Sequence, residues 1–300
     1  MQVRPDEKGC PSLDKAFWQS IVDADYAVPA EHTPTDLTPK LLALLSSTDP
    51  YLRDAIAYPI LEAWISRDLY TADDLRAMAG QLSGNLKVGL GEQNTESVFL
   101  RAFSALVLAE MVYHHNEHPF FEETDVRQIL ENALAYYPAE QDLRGYVSGL
   151  GWAHAIAHGA DLLYVLAENS FLSASDLERI MQALATQIAP PIAHAYLYNE
   201  DQRITRAVLA ALKRDLLTLP FLSAWLDRLT AFEGQKITFD GILTGEPRLI
   251  PSERGINVLH NTRQFLSALY VHLALDEQKP AIATDLAPLV LGALQPMNAW

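Results

Sequence analysis

Cysteine is almost absent from this chain, whose 300 residues include only Cys10. A single cysteine cannot close an internal disulfide, and it excludes a metal cluster held by several cysteine thiolates. Metal chemistry, if present, must therefore use other ligands.

Basic residues are also scarce. The chain has 22 Lys and Arg residues against 38 Asp and Glu residues, which gives a formal net charge of −16. Nucleic-acid binding draws much of its affinity from the neutralisation of phosphates, and anionic membrane surfaces attract basic segments. We therefore expect neither a nucleic acid nor a membrane as a partner.

Long apolar runs and leader-like segments are missing too. The first ten residues, MQVRPDEKGC, contain no apolar core of a signal peptide. No apolar run approaches the ~18 residues typical of a membrane span. We predict a soluble, cytoplasmic protein. The chain also lacks a Gly-rich phosphate loop and a G-x-S-x-G elbow, and we predict no cofactor.

Helical periodicity of three and four residues runs through nearly the whole chain. Four segments resemble one another, because each places an arginine near the start of a long apolar helix; they are Ser47–Trp64, Asn94–Met111, Asn199–Leu216 and Val258–Leu275. The aligned arginines are Arg53, Arg101, Arg206 and Arg263, and His158 occupies the same position in a further unit. The sequence thus contains an internal repeat.

A second, shorter helix precedes each of these units. The predicted helices are 38–45, 72–82, 123–136, 174–188 and 219–232. Repeats of about 40–47 residues built from two helices are typical of HEAT and armadillo proteins. We therefore predict an all-α protein, a HEAT/armadillo-like α-α superhelix of about five helical hairpins.

No linker divides the chain, so we predict one α-solenoid domain over residues 1–300. Residues 1–35 form an N-terminal extension with a helix around 14–23, residues 36–276 form the repeats, and residues 277–300 form a C-terminal segment. The long connections lie within the hairpins and are expected along one rim. The longest contains KITFDGILT (236–244), whose Asp-Gly predicts a β-hairpin.

The run GWAHAIAHGAD holds the strongest chemical signal. His154, His158 and Asp161 are spaced i, i+4 and i+7, which predicts one polar stripe on a helix, with Trp152 on the opposite side. Such a stripe could bind a metal ion, form a metal-free catalytic or ligand site, or make a structural polar network. Ala155 follows the first histidine, so the general-base glutamate of H-E-x-x-H metalloproteases is absent.

The arginines allow two interpretations. Near helix N-termini they could bind a carboxylate or phosphate, or they could form an Asp–Arg ladder between repeats. Arg144 and Trp152 approach the stripe from the preceding loop. The candidate ligand-binding residues are Arg101, Arg144, Trp152, His154, His158 and Arg206.

Several strings resemble the bacterial family called domain of unknown function 2785. They are GWAHAIAHGADLL with DLRGYVSG before it, GLGEQNTESVFLRAFSALVL, NEDQRITRAVLAAL and NTRQFLSALYVHL. The resemblance spans roughly residues 36–276. It implies an all-helical protein and brings no activity, cofactor or catalytic residue.

Two functions remain open. The first is a cytoplasmic binding or scaffold protein whose concave face and loop rim receive a peptide, a protein or a small anionic ligand. The second is an enzyme, a hydrolase or lyase, in which His154, His158 and Asp161 act as acid, base or metal ligands beside Arg101 and Arg144.

Overall fold

The computed structural model describes residues 14–243 and 252–298, which form an all-α protein with two short β-hairpins. In chain order the helices are α1 (Lys15–Asp23), α2 (Pro34–Leu44), α3 (Tyr58–Ser66), α4 (Ala72–Asn85), α5 (Ser97–Glu117), α6 (Glu123–Tyr136), α7 (Ala155–Glu168), α8 (Ala174–Ile188), α9 (Glu200–Lys213), α10 (Leu219–Leu229), α11 (Phe239–Leu243), α12 (Glu253–Leu275) and α13 (Ala283–Leu294).

Most of these helices fall into two packed rows. In the central row α3, α5, α7, α9 and α12 contact one another in chain order. In the flanking row α4, α6, α8, α10 and α13 do the same. Nearly every residue of α7 is buried, including His158 and Asp161. The core therefore lies around the central row.

The predicted flanking helices are largely confirmed. The helices predicted at 123–136 and 174–188 have those bounds, and α4 extends the prediction at 72–82 by three residues. The helix predicted at 219–232 ends earlier, at Leu229, where the chain turns into a β-hairpin. The helix predicted around 14–23 is α1, and Asp14 caps it by accepting a hydrogen bond from the Phe17 amide.

Capping residues fix the starts of the flanking helices and also join them. Asp74, Asp125 and Asp176 each accept a hydrogen bond from the backbone amide three residues earlier, as in a capping box. Arg76 on α4 pairs with Asp125 on α6, and Arg127 on α6 pairs with Asp176 on α8. An Asp–Arg ladder therefore exists in the flanking row, whereas the sequence suggested one at the arginines of the central row.

The first central helix begins irregularly. Residues Tyr51–Ala57 form a π-helical segment that continues into α3. Pro59 has no amide proton to donate to the carbonyl of Ala55, so regular α-helical bonding cannot extend through this point. The wide turn carries Arg53 into the core.

The predicted β-hairpin at 236–244 is wrong in its position. The hairpin pairs β3 (Ala231–Phe232) with β4 (Gln235–Lys236). Glu233 and Gly234 form its turn with φ values of 52° and 79°. A type I′ turn requires a positive φ at both of these positions. The predicted turn residues Asp240 and Gly241 lie in α11. Residue 244 lies outside the described residues, as does Cys10.

The C-terminal segment continues the packing of the repeats. α13 packs against α10 and α12, and Val290 is completely buried. The predicted C-terminal segment, 277–300, therefore contributes α13 to the flanking row.

Helix α5 is long and apolar enough to cross a membrane, with a mean hydropathy of 1.3 over its most apolar window. Arg101 and Glu110 interrupt this helix, so it contains no uninterrupted apolar run of ~18 residues. In addition, 72% of that window is buried inside the protein. A buried core helix passes the same test of length and composition, and α5 packs against α3, α4 and α7.

Candidate ligand-binding site

The predicted polar stripe begins one residue before α7, because His154 precedes the first helical residue, Ala155. Tyr146–Val147 (β1) and Gly151–Trp152 (β2) form a short antiparallel hairpin, so Trp152 lies in a strand. His154 is the residue before the helix and has a left-handed backbone, with a φ of 52°. The prediction that His154 lies on the same helical face as His158 and Asp161 is therefore wrong, although the His154 and His158 rings still lie 5.5 Å apart, centroid to centroid.

His154 joins the loop before α7 to the start of α9. Its ring stacks on Trp152 with 4.6 Å between the ring centroids. Its Nε2 donates to the backbone carbonyl of Tyr198 over 3.0 Å, and Oε1 of Glu200 lies 3.7 Å away. Burial lowers the pKa of His154. Trp152 and His154 thus lie together, and the prediction that Trp152 lies opposite the polar stripe is wrong.

His158 is buried between α5 and α7. Its Nδ1 donates to the carbonyl of Ala102 over 3.2 Å, and its ring meets Phe103 edge to face. Burial lowers the pKa of His158 well below its ordinary value, so the imidazole is neutral at neutral pH. The hydrogen bond of His158 therefore links α7 to α5.

Asp161 is only 7% exposed and has one partner. Its Oδ2 accepts a hydrogen bond from Nη1 of Arg203 over 2.5 Å. Its Oδ1 is buried and has no hydrogen-bond partner. Burial raises the pKa of the Asp161 carboxyl, and the Arg203 guanidinium opposes this effect. The unpaired oxygen is the most unusual feature of this helix, because buried polar atoms are normally bonded.

These three side chains do not converge on a metal ion. His154 turns to Tyr198, His158 to Ala102 and Asp161 to Arg203. Within residues 14–243 and 252–298, no group of three His, Cys, Asp or Glu side chains is placed to hold a metal ion.

Arg101 forms a buried ion pair. Its Nε and Nη2 donate to the two carboxylate oxygens of Glu140 over 2.7 and 2.9 Å, and both side chains are 0% exposed. Its Nη1 donates to the carbonyls of Val88 and Gly89 and to Oγ of Ser97. The guanidinium has no open face for a ligand.

Arg53 is also buried. It pairs with Asp54 and donates to the carbonyl of Leu150, which lies in the loop before α7. Arg144 pairs with Asp142 through Nε and Nη2 and also donates to the carbonyl of Thr95. These two arginines therefore hold loops in place.

Arg206 differs from Arg53 and Arg101, the two aligned arginines described above. It is exposed, and its guanidinium lies 3.9 Å from the ring centroid of Tyr164. Among the described residues no carboxylate lies within ion-pair distance of it.

A cavity of about 330 Å³ opens beside His158 and Asp161, and we call it the central cavity. Helices α3, α5, α7 and α9 all contribute to its wall. Its lining residues are Tyr58, Leu106, Ala109, Glu110, Tyr113, His158, Asp161, Tyr164, Val165, Arg203 and Arg206. It therefore gathers two of the three predicted stripe residues and one predicted arginine.

Glu110 is the second acidic residue of the central cavity. Its Oε1 accepts a hydrogen bond from Oη of Tyr58 over 2.8 Å. Burial raises the pKa of Glu110, and the neighbouring carboxylates of Glu62 and Asp161 raise it further. The Arg206 guanidinium acts in the opposite direction.

A second cavity, of about 410 Å³, adjoins the first and is called the adjoining cavity. The two cavities share Tyr164, Arg203 and Arg206. Glu168 and Lys213 also line the adjoining cavity. Together the cavities form a groove along α7 and α9.

Four polar residues of the central cavity are not among the residues predicted from the sequence: Tyr58, Glu110, Tyr164 and Arg203. Glu110 gave a usable signal, since it is the only charged residue in the apolar stretch from Ala102 to Val112 of α5. A lone carboxylate on a helix of this kind needs a partner or a function. Tyr58 gave none, because its partner lies 52 positions away in the chain.

Comparison with known proteins gives a family and no activity. The family model described as "Protein of unknown function (DUF2785)" matches residues 86–271, a range that contains Glu110, α7 and α9. No curated protein and no solved structure matches the chain. Because the match covers more than half of the sequence, the chain belongs to the DUF2785 family.

Proposed function

We propose that the protein is a cytoplasmic, HEAT-like binding protein that holds a small ligand in the central cavity and the adjoining cavity. Its helix pairs contact one another in chain order, as the repeats of α-solenoids do. Such stacks commonly bind partners along an extended face. This packing supports the superhelical description that the repeats suggested.

The observation that carries the proposal is the pair of cavities that meet at Tyr164, Arg203 and Arg206. Each has a volume within the range of small-molecule sites, and each combines apolar walls with a few polar groups. The central cavity also contains the Glu110 carboxylate, which accepts a hydrogen bond from Tyr58 and has no ion pair among the described residues.

Equilibrium dialysis against a mixture of metabolites tests this proposal. We expect the wild-type protein to enrich at least one compound by mass spectrometry, and Arg206→Ala to lose that enrichment. Lys40→Ala is the matched control, because Lys40 is an exposed cation on α2. Equal retention by all three proteins, or no enrichment by the wild-type protein, contradicts the proposal.

One observation favours an enzyme as the second candidate. Glu110 and Asp161 line the same cavity, and burial raises the pKa of both carboxyls. A carboxyl with a raised pKa is suited to general acid–base catalysis, as in a hydrolase or lyase. His158, neutral and beside Asp161, is the further candidate base.

Turnover separates the two functions. An enzyme converts the enriched compound during incubation, and Glu110→Gln or Asp161→Asn stops the conversion while binding persists. A binding protein leaves the compound unchanged over the same period.

A further inference from the structure

Another cavity, of about 400 Å³, lies beside the hairpin of β3 and β4, and we call it the hairpin pocket. Residues of α8, α10, β3 and the start of α12 line it. Among the described residues it shares no lining residue with the central cavity or the adjoining cavity. Its volume is within the range of small-molecule sites. A ligand bound here would therefore be separate from a ligand in those two cavities.

Part of the lining of the hairpin pocket is apolar. Ala185, Ala189 and Phe232 line it and are half-buried, so each presents apolar surface to the pocket. Trp225 and Leu229 also line it and are almost completely buried, so they support this surface from the core. The two alanines leave room that larger side chains would fill. The apolar part of a ligand can therefore be buried here without leaving a polar group unsatisfied.

Arg254 lines the hairpin pocket with a guanidinium that the protein holds in place. Its Nε donates to the carbonyl of Pro190 over 3.4 Å, and its Cζ lies 5.0 Å from the centroid of the Phe232 ring. Its two Nη groups have no acceptor among the described residues. Arg254 is the second residue of α12, where the helix dipole disfavours a cation. Helix stability therefore does not account for this arginine.

Arg228 adds a second guanidinium to the same lining. It is exposed and lies in the last turn of α10. Within residues 14–243 and 252–298 neither Arg228 nor Arg254 forms an ion pair, although the chain has 38 acidic residues. Glu233 also lines the pocket, but it is exposed in the hairpin turn and lies beyond ion-pair distance of both arginines. The pocket therefore combines apolar surface with two cations that lack a counter-charge.

We propose that the hairpin pocket binds a small carboxylate with an apolar body. The carboxylate accepts hydrogen bonds from Arg254 and Arg228, and the apolar body packs on Ala185, Ala189 and Phe232. The planar fork of N–H donors in a guanidinium matches the two oxygens of a carboxylate, which favours a carboxylate over a neutral ligand. This site is additional to the one in the proposed function and does not depend on it.

The probes are 3-phenylpropionate, 3-phenylpropan-1-ol and propionate. The alcohol shares the phenyl ring and lacks the charge, whereas propionate shares the charge and lacks the ring. Isothermal titration calorimetry at neutral pH measures the dissociation constant of each probe for the wild-type protein. We expect 3-phenylpropionate to bind roughly tenfold more tightly than either of the others. No binding of 3-phenylpropionate, or equal binding of the alcohol or of propionate, overturns the proposal.

Two variants locate the carboxylate. Arg254→Met and Arg228→Met keep an apolar stem and remove the guanidinium, so we expect each to bind 3-phenylpropionate roughly tenfold more weakly. Arg228 makes no hydrogen bond within the described residues, so its replacement removes no internal contact of that kind. Arg67→Met is the matched control. Arg67 also donates to a backbone carbonyl, that of Asp25, and lies over the ring of Tyr26, but it does not line the pocket.

Equal binding of 3-phenylpropionate by Arg254→Met, Arg228→Met and the Arg67→Met control also overturns the proposal. Thermal unfolding of each variant establishes that it is folded during the titration. If Arg206→Ala weakens the binding of 3-phenylpropionate and Arg228→Met does not, the probe occupies the central or the adjoining cavity. In that case the proposed function stands and the inference about the hairpin pocket fails.

Discussion

Replacing Arg101 by methionine tests whether this arginine is structural. The change removes two hydrogen bonds to Glu140 and leaves that carboxylate, which is 0% exposed, without its counter-charge. Breaking a buried ion pair from one side costs about 3–5 kcal/mol of the free energy of unfolding. The acceptors Val88, Gly89 and Ser97 also lose their donor.

Arg179→Met is the matched control. Arg179 also pairs with a glutamate through two hydrogen bonds, to Glu131 over 2.7 and 2.6 Å, but the side chains are 42% and 54% exposed. Exposed pairs contribute roughly 0–1 kcal/mol, because water screens the charges. The two variants therefore differ in burial and share their pairing geometry.

Urea unfolding followed by circular dichroism, with linear extrapolation to water, measures both free energies. We expect Arg101→Met to lose several times more stability than Arg179→Met. Equal losses would refute the reasoning, and Arg101 would again be open to a role in ligand binding. The double variant Arg101→Met/Glu140→Met should recover part of the loss, because it leaves no buried charge unpaired.

Further predictions concern two glycines and one histidine. A Cβ at Gly159 would lie 2.5 Å from the Tyr137 ring, so we expect Gly159→Ala to cost about 1–3 kcal/mol of unfolding free energy. Gly80→Ala, with open space around it in α4, should instead gain about 0.5–1 kcal/mol in the same urea assay. Because the pKa of His158 is lowered in the folded state, its contribution to stability is complete above about pH 6.5 and falls as the pH decreases below it, by up to about 1.4 kcal/mol per pH unit. We expect His158→Leu to flatten this dependence of the free energy of unfolding on pH. An unchanged slope in that variant would contradict the assignment.

The flanking helices could be predicted from the sequence because their signals are local. Thr71 and Asp74, or Ser173 and Asp176, mark a helix start within four residues. Leucine and alanine then repeat at helical spacing along the buried face. The bounds of these helices accordingly agree closely with the prediction.

The placement of His154 could not be read from its spacing. The i, i+4 and i+7 pattern presumes a helix, and the backbone of His154 has a φ of 52°. The hairpin from β1 to β2 determines this conformation, and its strands are only two residues long. Such short strands leave no periodic signal in a sequence.

The partners of the arginines were equally hidden. Arg101 and Glu140 lie 39 positions apart, and Arg203 and Asp161 lie 42 apart. Each pair forms only when two separate helices or loops have packed. The repeat alignment located the arginines, whereas tertiary packing decided which carboxylate each one meets.

The hydrogen bond from Arg53 to the carbonyl of Leu150 has a consequence for unfolding. It joins the helix pair α2–α3 to the loop between α6 and α7, 97 positions away in the chain, and so bypasses the pair α4–α5. Gly151 reinforces this contact, because a Cβ there would lie 2.6 Å from Pro50. In a linear array each unit touches only its neighbours and can melt from an end. Here the pair α2–α3 cannot unfold without breaking its contacts with the loop that precedes α7. We therefore expect the N-terminal half to unfold in one cooperative step.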